Sequence, residues 1–121
     1  MTDKNAGFQN PDKPTKGLVS VVLPVYNCER YVAEAIESVR CQSYPHWELI
    51  AVDDCSTDRT AKILAEIAGS DSRIRFFRND QNRKLPATLN RGFGEGRGEF
   101  FGWLGADDRY HPEALQQMVA A

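Results

Sequence analysis

The stretch WELIAVDD, residues 47–54, joins a mostly apolar run to two consecutive aspartates. A continuous run of this kind is typical of a strand that is buried on both faces of a parallel sheet. Paired charges at the carboxyl end of such a strand are costly to bury, so they usually face a ligand or a metal. Ligands of open α/β sheets bind in the crevice outside the carboxyl ends of the strands. The stretch therefore predicts a parallel sheet with a polar site at one edge.

On either side of this stretch, similar runs predict three more strands, at residues 18–23, 74–77 and 100–104. Apolar residues at helical spacing predict a helix after each strand. The predicted helices are one at residues 29–41, one capped by Ser56 or Thr57 that stops near Gly69, one with Pro86 in its first turn, and one that starts at Pro112. The alternation of strands and helices predicts an α/β fold, in which a mostly parallel open sheet carries helices on both faces.

The chain of 121 residues fits one small domain with a polar segment in front of it. Residues 1–17 contain two prolines, two glycines and several polar residues, which predicts a flexible leader. Residues 18–121 carry the alternating pattern and form the predicted domain. The pattern stops without an obvious closing element, so we expect the front part of a larger domain.

Composition and charge argue against several classes of protein. The net charge of −2 gives no electrostatic basis for binding nucleic acid. No apolar run approaches the roughly 20 residues that span a bilayer, and residues 1–16 lack the apolar centre of a signal peptide. The three cysteines are odd in number and lack metal-ligand spacing, which is typical of reduced thiols in a cytoplasmic protein. We expect any membrane association to depend on parts outside this chain.

A second acidic pair, Asp107 and Asp108, follows the run at residues 100–106. Mg²⁺ and Mn²⁺ prefer hard oxygen ligands, and one or two carboxylates together with substrate phosphates are sufficient. The pair is therefore a candidate metal site at the same sheet edge as residues 53 and 54. A solvated turn, or acids that cap the helix after Pro112, would give the same pattern.

The loops after the first two strands suggest a site for a nucleotide base. A carboxylate accepts hydrogen bonds only, so Asp54 would select a base with a ring N–H, such as uracil at N3. The loop at residues 24–27 would offer backbone groups and the Tyr26 ring to a flat base. Arg83 and Lys84 would neutralise a diphosphate. A capping turn at Asp54 and a solvated basic loop remain the alternatives.

Three stretches together, VSVVLPVYN at 19–27, VDDCSTD at 52–58 and LGADD at 104–108, closely resemble the family 2 glycosyltransferases of the GT-A fold. The segment between residues 85 and 100 also resembles the part of this family that leads into its metal motif. The resemblance extends over residues 18–121. It implies a Rossmann-like GT-A fold, of which this chain is the N-terminal, nucleotide-sugar-binding part.

The resemblance implies that a nucleotide-diphosphate sugar, usually a UDP-sugar, binds at the strand ends with Mn²⁺ or Mg²⁺. Asp108 would ligate the metal, and Asp107 would face the ribose or the sugar. Asp54 would hydrogen-bond the base, and Arg83 is a looser match to a basic residue of the family. The implied nucleotide contacts are Pro24, Val25, Tyr26, Glu29, Asp53, Asp54, Arg83 and Asp107.

Two positions depart from the family pattern. Cys55 stands where the family usually has Gly or Asn, and Gly105 stands where many members carry a further Asp. The family's catalytic base lies in a second half that forms the acceptor site, so the resemblance implies no catalytic residue in this chain. The acceptor, a sugar or a lipid, is not indicated.

Two functions from different classes remain open. The first is the donor-binding half of an inverting glycosyltransferase. The alternative is a non-catalytic nucleotide-binding or assembly module that acts with a partner chain. A receiver-like phosphoacceptor domain does not fit, because its acidic pair would follow the first strand, where residues 24–27 read PVYN. An uncovered sheet edge beside residues 100–104 would also favour a homodimer.

Overall fold

The computed structural model describes residues 14–120, so most of the predicted leader lies outside the described residues. Four strands and four helices alternate along this part of the chain, as the sequence predicts. The elements are β1 (Thr15–Val25), α1 (Val32–Arg40), β2 (Trp47–Asp53), α2 (Thr60–Ser70), β3 (Ile74–Arg78), α3 (Lys84–Glu95), β4 (Gly98–Trp103) and α4 (Ala114–Ala120).

The strands form one parallel sheet in the order β3-β2-β1-β4, which confirms the predicted α/β class. Val25 at the end of β1 pairs with Asp53 at the end of β2, so the two strands end at the same edge. On the other side, Val22 pairs with Trp103 of β4. The strand order reverses direction between β1 and β4. This is the switch point at which open α/β sheets bind ligands.

One face of the sheet packs against α1, α2 and α4. Alternate residues of β1, namely Val19, Val21 and Leu23, are fully buried there. Ile36 of α1 and Leu115 of α4 are buried in the same core. The apolar spacing of α1, with buried residues three or four positions apart, is what directs this helix onto the sheet.

The other face packs against α3, which crosses β1 and β2 closely. Gly92 lies directly on Val22, and a Cβ atom at residue 92 would come 2.3 Å from Cγ1 of Val22. This close approach is possible because residue 92 has no side chain, and α3 continues through Gly92 and Gly94 to Glu95. Helices therefore lie on both faces of the sheet, as predicted.

The predicted leader is too long by three residues. β1 begins at Thr15, three residues before the predicted boundary at Leu18. The backbone N–H of Thr15 donates to the carbonyl of Arg97, and that of Gly17 donates to the Glu99 carboxylate. β1 therefore extends beyond its apolar run, because its first residues bond to Arg97, just before β4, and to Glu99 within β4.

Three predicted helix starts are also wrong. α4 begins at Ala114 rather than Pro112. α1 begins at Val32 rather than residue 29. α2 begins at Thr60, and its first turn is capped by Asp58 Oδ1, which accepts from the backbone N–H of Thr60 at 2.9 Å. Ser56 does not cap α2, because its hydroxyl donates to Asp53. Within residues 14–120, no helix is long and apolar enough to cross a membrane.

β4 is an edge strand among the described residues. Phe101 and Trp103 on this strand are 44% and 48% exposed, and both project toward the α3 face. Phe93 of α3 contacts Phe101 edge to face, with ring centroids 6.0 Å apart. An exposed aromatic edge strand offers unpaired backbone groups and apolar surface to a second chain.

We predict that the purified chain self-associates through β4 at micromolar concentration, most simply as a two-fold dimer. Trp103→Lys should shift the population toward monomer, because a lysine on an edge strand opposes strand pairing. Tyr31→Lys is the matched control, since Tyr31 is also 48% exposed but lies beside α1. Multi-angle light scattering measures both variants. A monomeric wild type would contradict the prediction.

Candidate functional site

Two open clefts lie at the carboxyl ends of β1 and β4. The first, here the β1–α3 cleft, has a volume of about 110 Å³ and is lined by Pro24, Val25, Tyr26, Asp54, Leu85 and Thr88. The second, here the β4 cleft, has a volume of about 300 Å³ and is lined by Trp103, Leu104, Gly105, Asp108, Arg109 and Tyr110. The backbone N–H of Leu104 donates to the carbonyl of Val22 at 2.9 Å, which fixes β4 beside β1 just before the clefts.

The β1–α3 cleft brings together four of the residues that the sequence predicts: Pro24, Val25, Tyr26 and Asp54. Tyr26 is 50% exposed, and Leu85 from the first turn of α3 is 49% exposed. An aromatic ring and a branched aliphatic side chain are suitable walls for a flat, partly apolar ring. Sequence reasoning missed Leu85 and Thr88. Their spacing of three residues on one helix face was the available signal.

Asp54 lies in the floor of this cleft and is 5% exposed. Its Oδ1 accepts from the Asn79 side-chain amide at 2.8 Å and from the backbone N–H of Arg83 at 2.7 Å. Its Oδ2 accepts from the backbone N–H of Lys84 at 3.0 Å. Burial alone would raise the pKa of Asp54, but these hydrogen bonds, together with one from Thr88, lower it below its usual value. The carboxylate is therefore ionised and also orders the start of α3.

Asp53 does not reach either cleft. Its side chain is fully buried and projects to the opposite face of the sheet from Asp54. Oδ2 accepts from the backbone N–H of Ser56 at 3.0 Å and from Nε of Arg78 at 3.1 Å. Asp53 thus closes the turn that follows β2 and does not cap α2, and its contact with the nucleotide stays a prediction.

Glu29 joins two loops and lines neither cleft. Its Oε1 accepts from the backbone N–H of Arg59 at 2.9 Å, and its own N–H donates to Asp58 at 3.3 Å. Asn27 makes a parallel connection, because its Oδ1 accepts from the backbone N–H of Thr57 at 2.8 Å. The loops after β1 and β2 are thus held together beside the site, and Glu29 contributes to that support.

Arg83 lies on the rim of the site, before α3. Its guanidinium forms an exposed ion pair with Asp80 at 3.0 Å. An exposed pair of this kind contributes little to stability, so the guanidinium remains available to a ligand. The backbone of Arg83 is held by Asp54, which fixes where its side chain starts.

Asp107 and Asp108 converge over Gly105. A Cβ atom at residue 105 would lie 2.9 Å from Oδ2 of Asp108 and 3.4 Å from Oδ1 of Asp107. The backbone N–H of Asp108 donates to the carbonyl of Gly105 at 3.0 Å, which closes the turn. The absence of a side chain at Gly105 therefore gives room for both carboxylates on one side of the loop.

This donor set fits a hard divalent cation. Mg²⁺ and Mn²⁺ bind carboxylate oxygens, and Mg²⁺ sites commonly combine one or two carboxylates with substrate phosphates. Within residues 14–120 there is no group of three or more His, Cys, Asp or Glu side chains that would hold a metal by itself. Asp108, which lines the β4 cleft, and the adjacent Asp107 are therefore suited to a cation that shares its coordination with a ligand.

Three non-glycine residues adopt positive φ in the described part of the chain: Asn27 at 47°, Cys55 at 64° and Lys84 at 72°. Each lies in a loop beside the β1–α3 cleft, after β1, after β2 and at the start of α3. Such backbone conformations are unfavourable for residues with a Cβ atom and concentrate at functional sites. Cys55 therefore keeps the turn geometry that Gly or Asn would adopt more easily.

Comparison with known proteins gives a family match. A family model of glycosyl transferase family 2 matches residues 20–121. A Bacillus subtilis protein named "Putative glycosyltransferase EpsE" is 43% identical over 103 residues, which cover 84% of this chain and 37% of that protein. The chain therefore spans well under half the length of this relative.

Solved structures match the same part of the chain. S. aureus TarS 1-349, solved in complex with UDP-GlcNAc, is 31% identical with a TM-score of 0.77, over 84% of this chain and 30% of TarS 1-349. The mannosyltransferase PcManGT from Pyrobaculum calidifontis, solved with GDP-Man and Mn²⁺, has a TM-score of 0.72 at 24% identity, over 84% of this chain and 30% of PcManGT. The second likeness is one of fold alone.

The positive φ at Cys55 leads to a prediction about stability. Cys55→Gly should raise the free energy of unfolding by about 1 kcal/mol, because relief of left-handed strain exceeds the entropy that glycine adds to the unfolded chain. Cys41→Gly is the matched control, since Cys41 has a φ of −89° and gains no relief. Urea unfolding measures both variants. Equal destabilisation by the two substitutions would contradict the prediction.

Proposed function

This chain belongs to glycosyl transferase family 2, and we propose that it binds a UDP-sugar donor together with Mn²⁺ or Mg²⁺. The observation that carries the proposal is the pair of clefts at the switch point of the sheet. One cleft has aromatic and apolar walls around a buried carboxylate, and the other is lined by the exposed carboxylate of Asp108, with Asp107 next to it. The base of a nucleotide-diphosphate sugar needs a surface of the first kind. Its diphosphate, together with a cation, needs a surface of the second kind.

The nucleoside end fits the β1–α3 cleft. Tyr26 and Leu85 would contact the faces of the base, and Asp54 would accept the N–H of a uracil ring. A carboxylate cannot donate, so it favours uracil at N3 over cytosine, which presents a lone pair there. S. aureus TarS, which matches this chain at 31% identity, has been solved with UDP, and this supports a uridine nucleotide here.

The diphosphate end fits the β4 cleft. Asp108 would ligate the cation, and Asp107 would face hydroxyl groups of the ribose or the sugar. Arg83 would approach the phosphates from the rim of the site. When bound, the cation supplies positive charge against the charge that develops on the departing diphosphate. Without it, the carboxylates and the phosphates would repel each other.

Inverting transfer requires a base that deprotonates the acceptor hydroxyl as it attacks the anomeric carbon. We assign this role to no residue of this chain, because we propose that both clefts bind the donor. The chain would then hold the donor and orient its leaving group, while other residues of the whole protein bind the acceptor. The alternative, a non-catalytic nucleotide-binding module, predicts the same UDP binding but no transfer by the full-length protein.

We predict that UDP binding depends on both the cation and Asp108. In titration calorimetry, wild-type chain should bind UDP more tightly with Mn²⁺ than with chelator. Asp108→Ala should remove the whole Mn²⁺-dependent part of this affinity, because the remaining carboxylate cannot hold the ion beside the diphosphate. The side chain of Asp108 is exposed, so the fold should be retained.

The matched control is Glu66→Ala, which removes an exposed carboxylate from α2. It should leave the affinity for UDP unchanged, both with Mn²⁺ and with chelator. Wild-type affinity in Asp108→Ala, or a wild type that is insensitive to chelator, would overturn the proposed role of the acidic pair.

We further predict that the wild-type chain prefers UDP to CDP by about tenfold or more, since a hydrogen bond to a charged acceptor contributes roughly 1.5–3 kcal/mol. Asp54→Asn should reduce this preference, because the amide lacks the charge and directs a donor toward the site. Circular dichroism checks the fold of the variant, as Asp54 also holds the start of α3. Equal affinity of the wild type for UDP and CDP would contradict the role of Asp54.

A further inference from the structure

A polar cluster lies behind the β1–α3 cleft and connects Asp54 to α3. It consists of Asn79, Thr88 and Arg91, here the Asn79 cluster. Asn79 follows β3 directly and is 2% exposed, while Thr88 on α3 is 1% exposed. The backbone N–H of Asn79 donates to the carbonyl of Asp53 at 2.8 Å, which continues the pairing of β3 with β2.

The Asn79 side chain is oriented by charged groups on both sides. Its Oδ1 accepts from Nη1 of Arg91 at 2.9 Å. Its Nδ2 donates to Oδ1 of Asp54 at 2.8 Å and to the Thr88 hydroxyl at 3.0 Å. Because the carbonyl faces a cation and the amide nitrogen faces a carboxylate, the opposite orientation of the amide is strongly disfavoured.

Arg91 is itself fixed at a second point. The same Nη1 atom donates to the carbonyl of Arg78 at 2.9 Å, and the guanidinium carbon lies 5.6 Å from the centre of the Phe77 ring. The side chain therefore spans from α3 to the end of β3. A chain of hydrogen bonds runs from Arg91 through Asn79 to Asp54, and the burial of Asn79 and Asp54 strengthens the bond between these two.

Three donors fix the Asp54 carboxylate in this arrangement. They are the Asn79 side-chain amide and the backbone N–H groups of Arg83 and Lys84. A carboxylate offers about four lone-pair sites, so one site is left for a ligand that enters the cleft.

We propose that Asn79, held by Arg91, is a positioning residue that keeps the Asp54 carboxylate aimed at a uracil-type ring N–H. This inference rests on the proposed function, since it concerns how the same cleft selects its base. The discrimination between UDP and CDP then depends on residues that do not line the cleft.

The test compares UDP and CDP affinities, each with Mn²⁺, in wild type and Asn79→Ala. The preference for UDP should fall about tenfold, as expected for a lost bond to a charged group, while CDP affinity stays within about twofold because CDP does not use the carboxylate. Asn90→Ala, the same substitution at an exposed position on α3, is the matched control and should leave both affinities unchanged.

Arg91 gives a second variant at an exposed position, in case Asn79→Ala does not fold. Arg91→Met releases Oδ1 of Asn79 and should lower the preference for UDP about two- to tenfold. Arg91→Lys keeps a cation at this point and should restore much of the preference. A purely structural role would lower UDP and CDP affinity alike in Asn79→Ala and Arg91→Met.

The outcomes separate this inference from the proposed function. A wild type that binds neither nucleotide overturns both. A wild type that prefers UDP, with the same preference in Asn79→Ala and Arg91→Met, overturns the positioning role alone. Loss of the preference in both variants, with recovery in Arg91→Lys, supports it.

Discussion

The parallel pairing of β1 on both of its sides is the constraint on which the rest of the structure depends. Because β2 and β4 run parallel to β1, all three strands end at the same edge. The connection from β1 to β2 crosses one face of the sheet through α1. The connection from β3 to β4 crosses the other face through α3. The strand order therefore reverses between β1 and β4, and the two clefts lie at the carboxyl ends of these strands.

The alternation of side chains along β2 divides two adjacent aspartates between the two faces. Asp53 projects with Leu49 and Ala51 toward α1 and α2, where it closes the turn at Ser56. Asp54 projects toward α3, where its carboxylate holds the first residues of that helix. Asp53 thus supports the loop that follows β2, and Asp54 places a hydrogen-bond acceptor in the β1–α3 cleft.

Sequence reasoning predicted the elements of the fold well, because strand and helix patterns are local. It also assembled most of the β1–α3 cleft, since Tyr26 and Asp54 follow neighbouring strands. It failed where a partner comes from a distant loop, as where Glu29 binds the backbone of Arg59. It also misplaced the cap of α2, which is Asp58, because Ser56, Thr57 and Asp58 all carry a side-chain acceptor and the local pattern does not choose among them. Asn79 left no local signal, because its role requires the register of β3 on β2 and the helix on the opposite face.

The two halves of the site differ in how strongly the fold determines them. Asp54 and its hydrogen-bond donors are buried and mutually fixed, so the acceptor for the base is formed before any ligand binds. Asp107 and Asp108 are exposed and are restricted mainly by the turn at Gly105. Groups that are already fixed give selectivity because little side-chain entropy is lost when the ligand binds. A cation that is shared with a diphosphate completes its coordination only when the ligand is bound. In the proposed function, recognition of the base would thus be a property of the folded chain, and recognition of the diphosphate would be a property of the complex.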